Sequence, residues 1–353
     1  MELHHLKPTA KIGGVVSGVL FVSLLAFYGL ILFWPQGNPY DSVTIDISKG
    51  SSVKEISKEL HDLSIIRSQR AFLWGVKALG VETEIPAGSY KLIHANSNYR
   101  IIDQLVNGAP VLKRVTVLEG WTLENIAAEL HKKLGISKRK FLNACRDKSL
   151  LNEFGVNAKS FEGYLFPETY FYPENEDPEF IVRSMASEFR KNFSSHMEDR
   201  IKEIGFTEIE TVTLASIIEG EAIYDEERPT ISGVYHNRLK KGMLLQADPT
   251  IQYIIEDGPR RLLNKDLKID SPYNTYLNEG LPPGPINSPG KASIIAALYP
   301  EQNSYLYFVA RGDGYHTFSK TEKEHNRAKR KFQKVRRDAS KAKRTNDLNK
   351  ETS

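Results

Sequence analysis

The sequence predicts an α+β protein with an N-terminal transmembrane helix, two small α/β modules and a larger mixed α+β domain. Three observations support this prediction. A long uncharged apolar run lies near the N-terminus, a strand–glycine–helix pattern occurs twice, and helical patterns alternate with proline- and glycine-rich loops in the C-terminal half. The length of 353 residues is enough for two or three domains.

The apolar run from Ile12 to Phe33 predicts a membrane-spanning helix over residues 12–34. A helix of 22 residues is about 33 Å long, which crosses the hydrocarbon core of a bilayer. Two lysines precede the run and an aspartate is the first charge after it, so the positive-inside rule places residues 1–11 in the cytoplasm. The sequence thus predicts a single-pass protein of the cytoplasmic (inner) membrane, with the remaining chain periplasmic or otherwise extracytoplasmic. A cleavable signal peptide is the alternative, but its apolar region would be shorter and would end in a small-residue site.

The repeat predicts two α/β modules, over residues 40–113 and 114–175. A strand at Ile45–Ile47 leads through a glycine into an amphipathic helix in the first copy, and a strand at Val115–Val117 does so in the second. A serine in the first copy and Thr122 in the second are the predicted helix caps. Small modules of this kind resemble LysM domains, which bind carbohydrate. Two ordinary modules that only pack together are the alternative.

An aromatic stretch at residues 164–172 ends the second module. Aromatic faces stack on sugar rings, so this stretch would suit a glycan groove. A core strand with its packing partner explains the same pattern equally well, and the sequence leaves both interpretations open.

The third unit, residues 176–333, contains a helix with a candidate acid/base residue, Glu219. A capping box at Thr207–Glu210 opens this helix, which is predicted to run to about Ala222. Glu219 borders the predicted buried stripe, and Glu221 lies about 200° further around the helix, so the two cannot act together from one face. A carboxylate beside an apolar face loses hydration, as a general acid requires. A solvated helix glutamate is the alternative. The stripe comprises Val212, Ala215, Ile218 and Ala222.

Further polar candidates lie in the helices and rigid loops that follow. They are Asn237 in a helix bracketed by Pro229 and Gly242, Gln246 in a short strand, Asp248 as N-cap of the next helix with Pro249 at its first position, Tyr273 and Asn274 in a loop, a helix opening at Ser288–Pro289, and His316 in a hairpin. Binding residues are often held on loops of this kind.

Several of these segments together form a recognisable set. The chain carries, in order, Leu-Ala-Ser-Ile-Ile-Glu-Gly-Glu at 214–221, Asn-Arg-Leu at 237–239, Leu-Gln-Ala-Asp-Pro-Thr at 245–250, Tyr-Asn-Thr-Tyr at 273–276, Gly-Leu-Pro-Pro-Gly-Pro-Ile at 280–286 and His-Thr-Phe at 316–318. The set resembles the endolytic murein transglycosylase family (MltG, YceG-like), and the resemblance extends over nearly the whole chain. The basic tail at residues 334–353 is not explained by it.

The resemblance implies a lyase that cuts the β-1,4 bond between N-acetylmuramic acid and N-acetylglucosamine in nascent peptidoglycan strands, leaving 1,6-anhydro-muramyl ends and terminating strand elongation. It implies Glu219 as the single acid/base residue, since the second nucleophile is the substrate's own C6 hydroxyl. The candidates for substrate binding are Gln246, Asp248, Tyr273, Asn274, Asn237 and His316. The expected partners are glycan strands, the lipid bilayer through the N-terminal helix, and peptidoglycan synthases (penicillin-binding proteins). Nucleic acid is not an expected partner because the topology places the chain outside the cytoplasm.

Composition limits the cofactor chemistry. The chain has one cysteine, Cys145, which cannot form an internal disulfide and is interpreted as a buried apolar residue. No phosphate-binding loop or His/Asp ligand cluster is recognisable, so neither a metal site nor another cofactor is predicted. Two other functions remain open at this point. One is a non-catalytic, membrane-anchored peptidoglycan-binding scaffold, and the other is a pyridoxal-phosphate lyase of the aminodeoxychorismate type.

Overall fold

The computed structural model describes residues 18–23, 26–27, 29–30, 32–34, 42–48, 50–93, 96–108, 110–193, 195–334 and 337. The chain divides into two compact units. Unit 1 comprises the residues up to Arg114 together with Lys133–Gly135 and Phe171–Glu176, and unit 2 comprises Val115–Lys132, Ile136–Tyr170 and the residues from Asp177 onward.

The two ends of the chain fall largely outside the described residues. This applies to residues 1–11, to part of the predicted transmembrane segment 12–34, and to the basic tail apart from positions 334 and 337. Within the described residues, no helix combines the length and the apolar character needed to cross a membrane.

Unit 1 is built on a two-stranded antiparallel sheet packed with three helices. In chain order its elements are β1 (Ser42–Ile47), α1 (Val53–Asp62), α2 (Gln69–Leu79), β2 (Gly88–Ile93) and α3 (Asn98–Asn107). Ile45 pairs with Tyr90 across the sheet, and both are buried in a core with Phe72. Ser52 forms a capping box at the start of α1, which confirms the predicted strand, turn and capped helix of the first copy.

The second copy of the pattern has the same local order. Its strand β3 (Lys113–Thr116) pairs with β4 (Thr169–Tyr172), and α4 (Leu123–Leu134) follows β3. The Thr122 hydroxyl accepts a hydrogen bond from the backbone of Asn125, so the predicted cap is confirmed. In the aromatic stretch, Tyr164, Phe166, Tyr170 and Tyr172 are buried while Phe171 is 58% exposed. Four of its five rings are therefore core residues.

The rest of unit 2 is mainly helical. In chain order its elements are α5 (Lys138–Ala144), α6 (Lys148–Glu153), α7 (Pro178–Asn192), α8 (Ser195–Ile204), α9 (Glu208–Glu221), α10 (Arg228–Lys240), α11 (Asp248–Ile254), α12 (Lys291–Leu298), β5 (Tyr307–Ala310) and β6 (His316–Ser319), with single 3-10 turns at Asp225–Glu227 and Asp266–Lys268. The predicted capping box at Thr207 and the predicted hairpin are both confirmed.

The central helix α9 is buried more completely than the sequence suggested. Residues 211–218 are all buried, so the single buried stripe predicted for this helix was too narrow. Thr211 and Ser216 of this helix are buried together with the apolar residues. Their hydroxyl groups donate to backbone carbonyls of the same helix region, that of Thr211 to Thr207 at 3.0 Å and that of Ser216 to Thr213 at 2.7 Å.

Two predicted helix starts are wrong by one or two residues, and the strand predicted at Gln246 is absent. Helix α11 begins at Asp248 with Ala247 as N-cap, because the Ala247 N–H is held by the hydroxyl of Thr275 and leaves the backbone extended there. Gln246 has a left-handed φ of 50° and so cannot continue a strand. Helix α12 begins at Lys291, later than Ser288–Pro289, because the backbone N–H and carbonyl of Ser288 form hydrogen bonds with Trp121 and Gly120.

Candidate active site

Glu219 occupies the last turn of α9 and its side chain is only 6% exposed. Its Oε2 accepts hydrogen bonds from the backbone N–H of Gly290 at 3.0 Å and from the hydroxyl of Ser293 at 2.9 Å. Both donors belong to the start of α12, where the helix dipole also favours a negative charge. The carboxylate is therefore held in one orientation by a helix N-terminus.

A buried cation completes these contacts. The Arg228 guanidinium lies 3.2 Å from Oε1 of Glu219 and is itself 5% exposed. It also donates to the hydroxyl of Ser293 at 2.5 Å and to the carboxylate of Asp225 at 2.9 Å. Burial acts to lower the pKa of Arg228, but its hydrogen bonds to the two carboxylates prevail and raise it. The Glu219 carboxyl group is thus buried, as predicted, and is contacted by three donors.

Helix α9 also positions the segment that supplies these donors. One turn before Glu219, the hydroxyl of Ser216 accepts from the N–H of Ile286 at 3.1 Å, and its carbonyl accepts from the side-chain amide of Asn287 at 2.9 Å. These contacts fix the segment that leads to Gly290, so α9 supplies the carboxylate and also orients its partners.

A second carboxylate, Glu119, lies beside this site on the loop after β3. A Cβ at position 290 would overlap Oε1 of Glu119, so a larger residue there would displace the Glu119 carboxyl group. Burial and the charge of Glu219 raise the pKa of Glu119, whereas Arg228 opposes this effect. The sequence pattern around Glu219 gave no indication of this second carboxylate.

A separate cavity of about 780 Å³ brings together three of the predicted binding residues, Gln246, Asp248 and His316. Its wall also includes Glu221, whose carboxylate accepts from the hydroxyl of Tyr235 at 2.8 Å and whose pKa is raised by burial to about 7. Because Glu221 points away from the face of α9 that carries Glu219, this cavity is a different part of the unit from the Glu219 carboxylate.

Two residues of that cavity wall have defined partners. The Asp248 carboxylate accepts from the hydroxyl of Tyr276 at 2.5 Å. His316 contacts the buried carboxylate of Glu227 twice, through its backbone N–H and through Nδ1, each at 2.9 Å. Glu227 directly precedes Arg228, so His316 ties the hairpin to the turn that carries the site's cation.

The other three candidates lie apart from both places. Asn274 is fully buried and donates to two carbonyls of its own loop, at 3.2 and 2.8 Å. Asn237 donates to the carbonyls of Asn303 and Tyr305, both at 3.0 Å. Tyr273 packs on Tyr253 with ring centroids 5.1 Å apart. Their observed contacts hold loops in place.

These features can now be compared with known proteins. A model of the YceG-like family matches residues 45–331. The chain belongs to the YceG-like family. The family assignment made from the motifs is therefore confirmed.

Named relatives of this YceG-like chain include the endolytic murein transglycosylase of Bacillus subtilis (strain 168), which is 38% identical over 324 residues, covering 86% of this chain and 89% of the relative. The protein of the same name from Streptococcus pneumoniae (strain D39) is 30% identical over 353 residues, covering 89% of this chain and 64% of the relative. A crystal structure of a YceG-like protein from Listeria monocytogenes matches with a TM-score of 0.57 and 34% identity, over 81% of this chain and 98% of that one.

Four contributors to the YceG-like site were missed from the sequence: Arg228, Gly290, Ser293 and Glu119. Each comes from a different segment than Glu219, and no spacing rule connects them. The sequence contained one sign that Glu119 belongs to a site, namely a charged residue immediately before a glycine turn. Within the described part of the chain, no group of three metal-ligating side chains is close enough to hold a metal ion.

Proposed function

We infer that this chain is an endolytic lytic transglycosylase, a lyase that cuts peptidoglycan glycan strands, with Glu219 as its acid/base residue. Membership of the YceG-like family and the names of its relatives support the activity. The observation that carries the residue assignment is the buried Glu219 carboxylate, oriented by Gly290, Ser293 and Arg228 within the matched region. A fixed carboxylate is what proton transfer to a glycosidic oxygen requires.

In the proposed reaction the β-1,4 bond between N-acetylmuramic acid and N-acetylglucosamine breaks as the leaving oxygen receives a proton. The muramyl C6 hydroxyl attacks C1 and gives up its own proton, leaving a 1,6-anhydro end. Water is not consumed, so the protein needs no second carboxylate as a nucleophile. Arg228 helps to hold the orientation of Glu219 during these transfers.

The cavity that contains Gln246, Asp248 and His316 is the proposed extension of the glycan site, because it joins polar side chains to aromatic walls. Tyr273, which is partly exposed, is a further candidate. Asn237 and Asn274 would support this site indirectly, because their side-chain amide groups donate to backbone carbonyls and so hold loops in place.

We further propose that residues 12–34 anchor the chain in the cytoplasmic membrane, with residues 1–11 inside the cell. Residues 40–113 and 114–175 would serve as LysM-like glycan-binding modules, and residues 176–333 as the catalytic domain. The uncharged run and the flanking lysines support the anchor. This arrangement would keep the enzyme near newly made strands and near peptidoglycan synthases, which are its proposed partners.

The test uses purified full-length protein in detergent with uncrosslinked glycan strands, and mass spectrometry of the products. Wild type should release internal fragments with 1,6-anhydro-muramyl ends, and Glu219→Gln should release none. Glu162→Gln, which removes another buried carboxyl of the same unit, is the matched control and should retain most activity. Anhydro product from the Glu219→Gln variant would refute the residue assignment. Glycan binding without cleavage by wild type would instead indicate a non-catalytic scaffold.

A further inference from the structure

Glu219 and Glu119 approach one glycine from two sides. The backbone N–H of Gly290 donates to Oε2 of Glu219 at 3.0 Å, while Oε1 of Glu119 lies where a Cβ of residue 290 would be. Standard bond lengths then place these two carboxyl oxygens within about 7 Å of each other. Pairs of carboxyl groups roughly 5–9.5 Å apart serve a single glycosidic bond in other enzymes.

The loop that carries Glu119 is fixed in this position. The Gly120 N–H donates to the carbonyl of Ser288 at 2.9 Å, and the Ser288 N–H donates to the carbonyl of Trp121 at 2.8 Å. Gly120 has a φ of 77°, which a residue with a side chain adopts at a cost. The turn therefore directs the side chain of Glu119 toward Gly290, and the same turn packs against Glu219.

The two carboxyl groups have opposite electrostatic surroundings. Glu219 is almost completely buried, and its carboxyl group contacts three donors, including the guanidinium of Arg228. Glu119 is exposed to the solvent, and no hydrogen bond or ion pair engages its carboxyl among the described residues. The charged groups that face it are Glu219, Arg228 and Asp225, and the net effect of burial and these charges raises its pKa. Two neighbouring acids held in such different environments divide acid and base roles between them.

We propose that the acid and base roles of the transglycosylase reaction are divided, with Glu119 donating the proton to the leaving oxygen and Glu219 accepting the proton of the muramyl C6 hydroxyl. This inference rests on the proposed function, and it adds a second catalytic residue to it. The accessible carboxyl of Glu119 is placed to meet the substrate first, and the carboxyl of Glu219 is held in one orientation by Gly290, Ser293 and Arg228.

The proton transfers balance. The protonated Glu119 gives its proton to the glycosidic oxygen as the bond from that oxygen to C1 breaks, and N-acetylglucosamine leaves with a free hydroxyl. The C6 oxygen forms the new bond to C1, and its proton passes to Glu219. Glu219 then releases this proton to solvent and the accessible Glu119 takes one up from solvent, which restores the starting state.

The experiment compares two substrates in the full-length protein. One is natural glycan, whose leaving oxygen needs a proton, and the other is a glycan oligomer ending in a 2,4-dinitrophenyl β-muramyl glycoside, whose leaving group needs none. Glu119→Gln should slow cleavage of natural glycan by about 10²–10⁴-fold but should slow release of dinitrophenolate by less than about tenfold. Glu219→Gln should lose both activities, because the C6 hydroxyl still requires a base. Glu124→Gln, an exposed glutamate five residues away, is the charge-matched control.

The pH profile supplies a second readout. The wild-type rate on natural glycan should fall as the pH rises and Glu119 loses its proton, and this fall should be absent with the dinitrophenyl substrate. Wild-type rates for Glu119→Gln on natural glycan, or equal losses on both substrates, would overturn the assignment. These results are distinct from failure of the proposed function, in which wild type itself would give no 1,6-anhydro product and the division of roles would fall with it.

Discussion

The buried carboxyl of Glu162 provides a quantitative test of the electrostatics of unit 2. It accepts a hydrogen bond from the N–H of Leu123 at 3.1 Å, at the start of α4, and a longer one from the hydroxyl of Tyr253 at 3.5 Å. Burial raises its pKa from 4.5 to about 8, although these hydrogen bonds act in the opposite direction. Glu162→Gln removes the titration and retains an oxygen that can accept from Leu123.

The expected magnitude follows from the difference between the folded and unfolded states. Between pH 4.5 and about 8 the folded protein keeps a proton on Glu162 that the unfolded chain releases. The folded pKa is raised, so this contribution is complete below pH 4.5 and is lost as the pH rises through about 8. Each pH unit corresponds to 1.36 kcal/mol, so this one site should remove about 4 kcal/mol of unfolding free energy between pH 5 and pH 8.

Urea unfolding followed by circular dichroism, at pH 5 and pH 8, measures this effect. The Glu162→Gln variant should gain about 4 kcal/mol relative to wild type between the two pH values, because only the wild-type chain is stabilised in its unfolded state by release of the Glu162 proton. Its cleavage activity should remain close to that of wild type at pH 7, since Glu162 takes no part in the hydrogen bonds of Glu219. Parallel pH dependences for the two proteins would refute the reasoning and would mean that water or a compensating charge reaches Glu162.

Three further changes probe the site and its support. Arg228→Met leaves the buried Glu219 without its cation, so the free energy of unfolding should fall by about 3 kcal/mol and cleavage should be lost; an unchanged urea midpoint would contradict the ion pair. Gly290→Ala places a Cβ against Glu119 and should lower kcat about 100-fold with a nearly normal melting temperature, whereas full activity would show that the Glu119 carboxyl is free to move elsewhere. Asn274→Ala leaves two loop carbonyls without their donor, so the free energy of unfolding in urea should fall by about 1–3 kcal/mol, while the cleavage rate of the folded protein should change less. A large loss of cleavage rate with unchanged stability would instead indicate that Asn274 contacts the substrate.

The elements that could be predicted from the sequence are those with local signals. The capping box at Thr207 needs only two residues three positions apart, and the hairpin at His316 needs a glycine turn between two short strands. The width of the buried face of α9 was underestimated because periodicity is also a local signal. Periodicity identifies one apolar face, but it does not reveal that threonine and serine on the other faces, such as Ser216, are also covered by packed segments.

The environment of Glu219 could not be predicted in the same way. Its residue type and the family motif made Glu219 the candidate acid/base residue, but its neighbours come from three segments that only the fold brings together: Glu119, Arg228 and the start of α12 at Gly290. The residue pattern of a single helix predicts a carboxylate acting without a neighbouring carboxyl, because it describes only one helix face. Tertiary contacts decide which charges meet, and no spacing along a single helix contains that information.

The backbone pairing of Gly120 and Trp121 with Ser288 has a consequence for biosynthesis. Residues that lie far apart in sequence must meet before the two carboxyl groups share Gly290. A growing chain therefore carries Glu119, and later Glu219, well before the segment that brings them together has been made. The contacts around the two glutamates arise only when synthesis has passed the start of α12, so a truncated product that ends before this point would have the glutamates without these contacts.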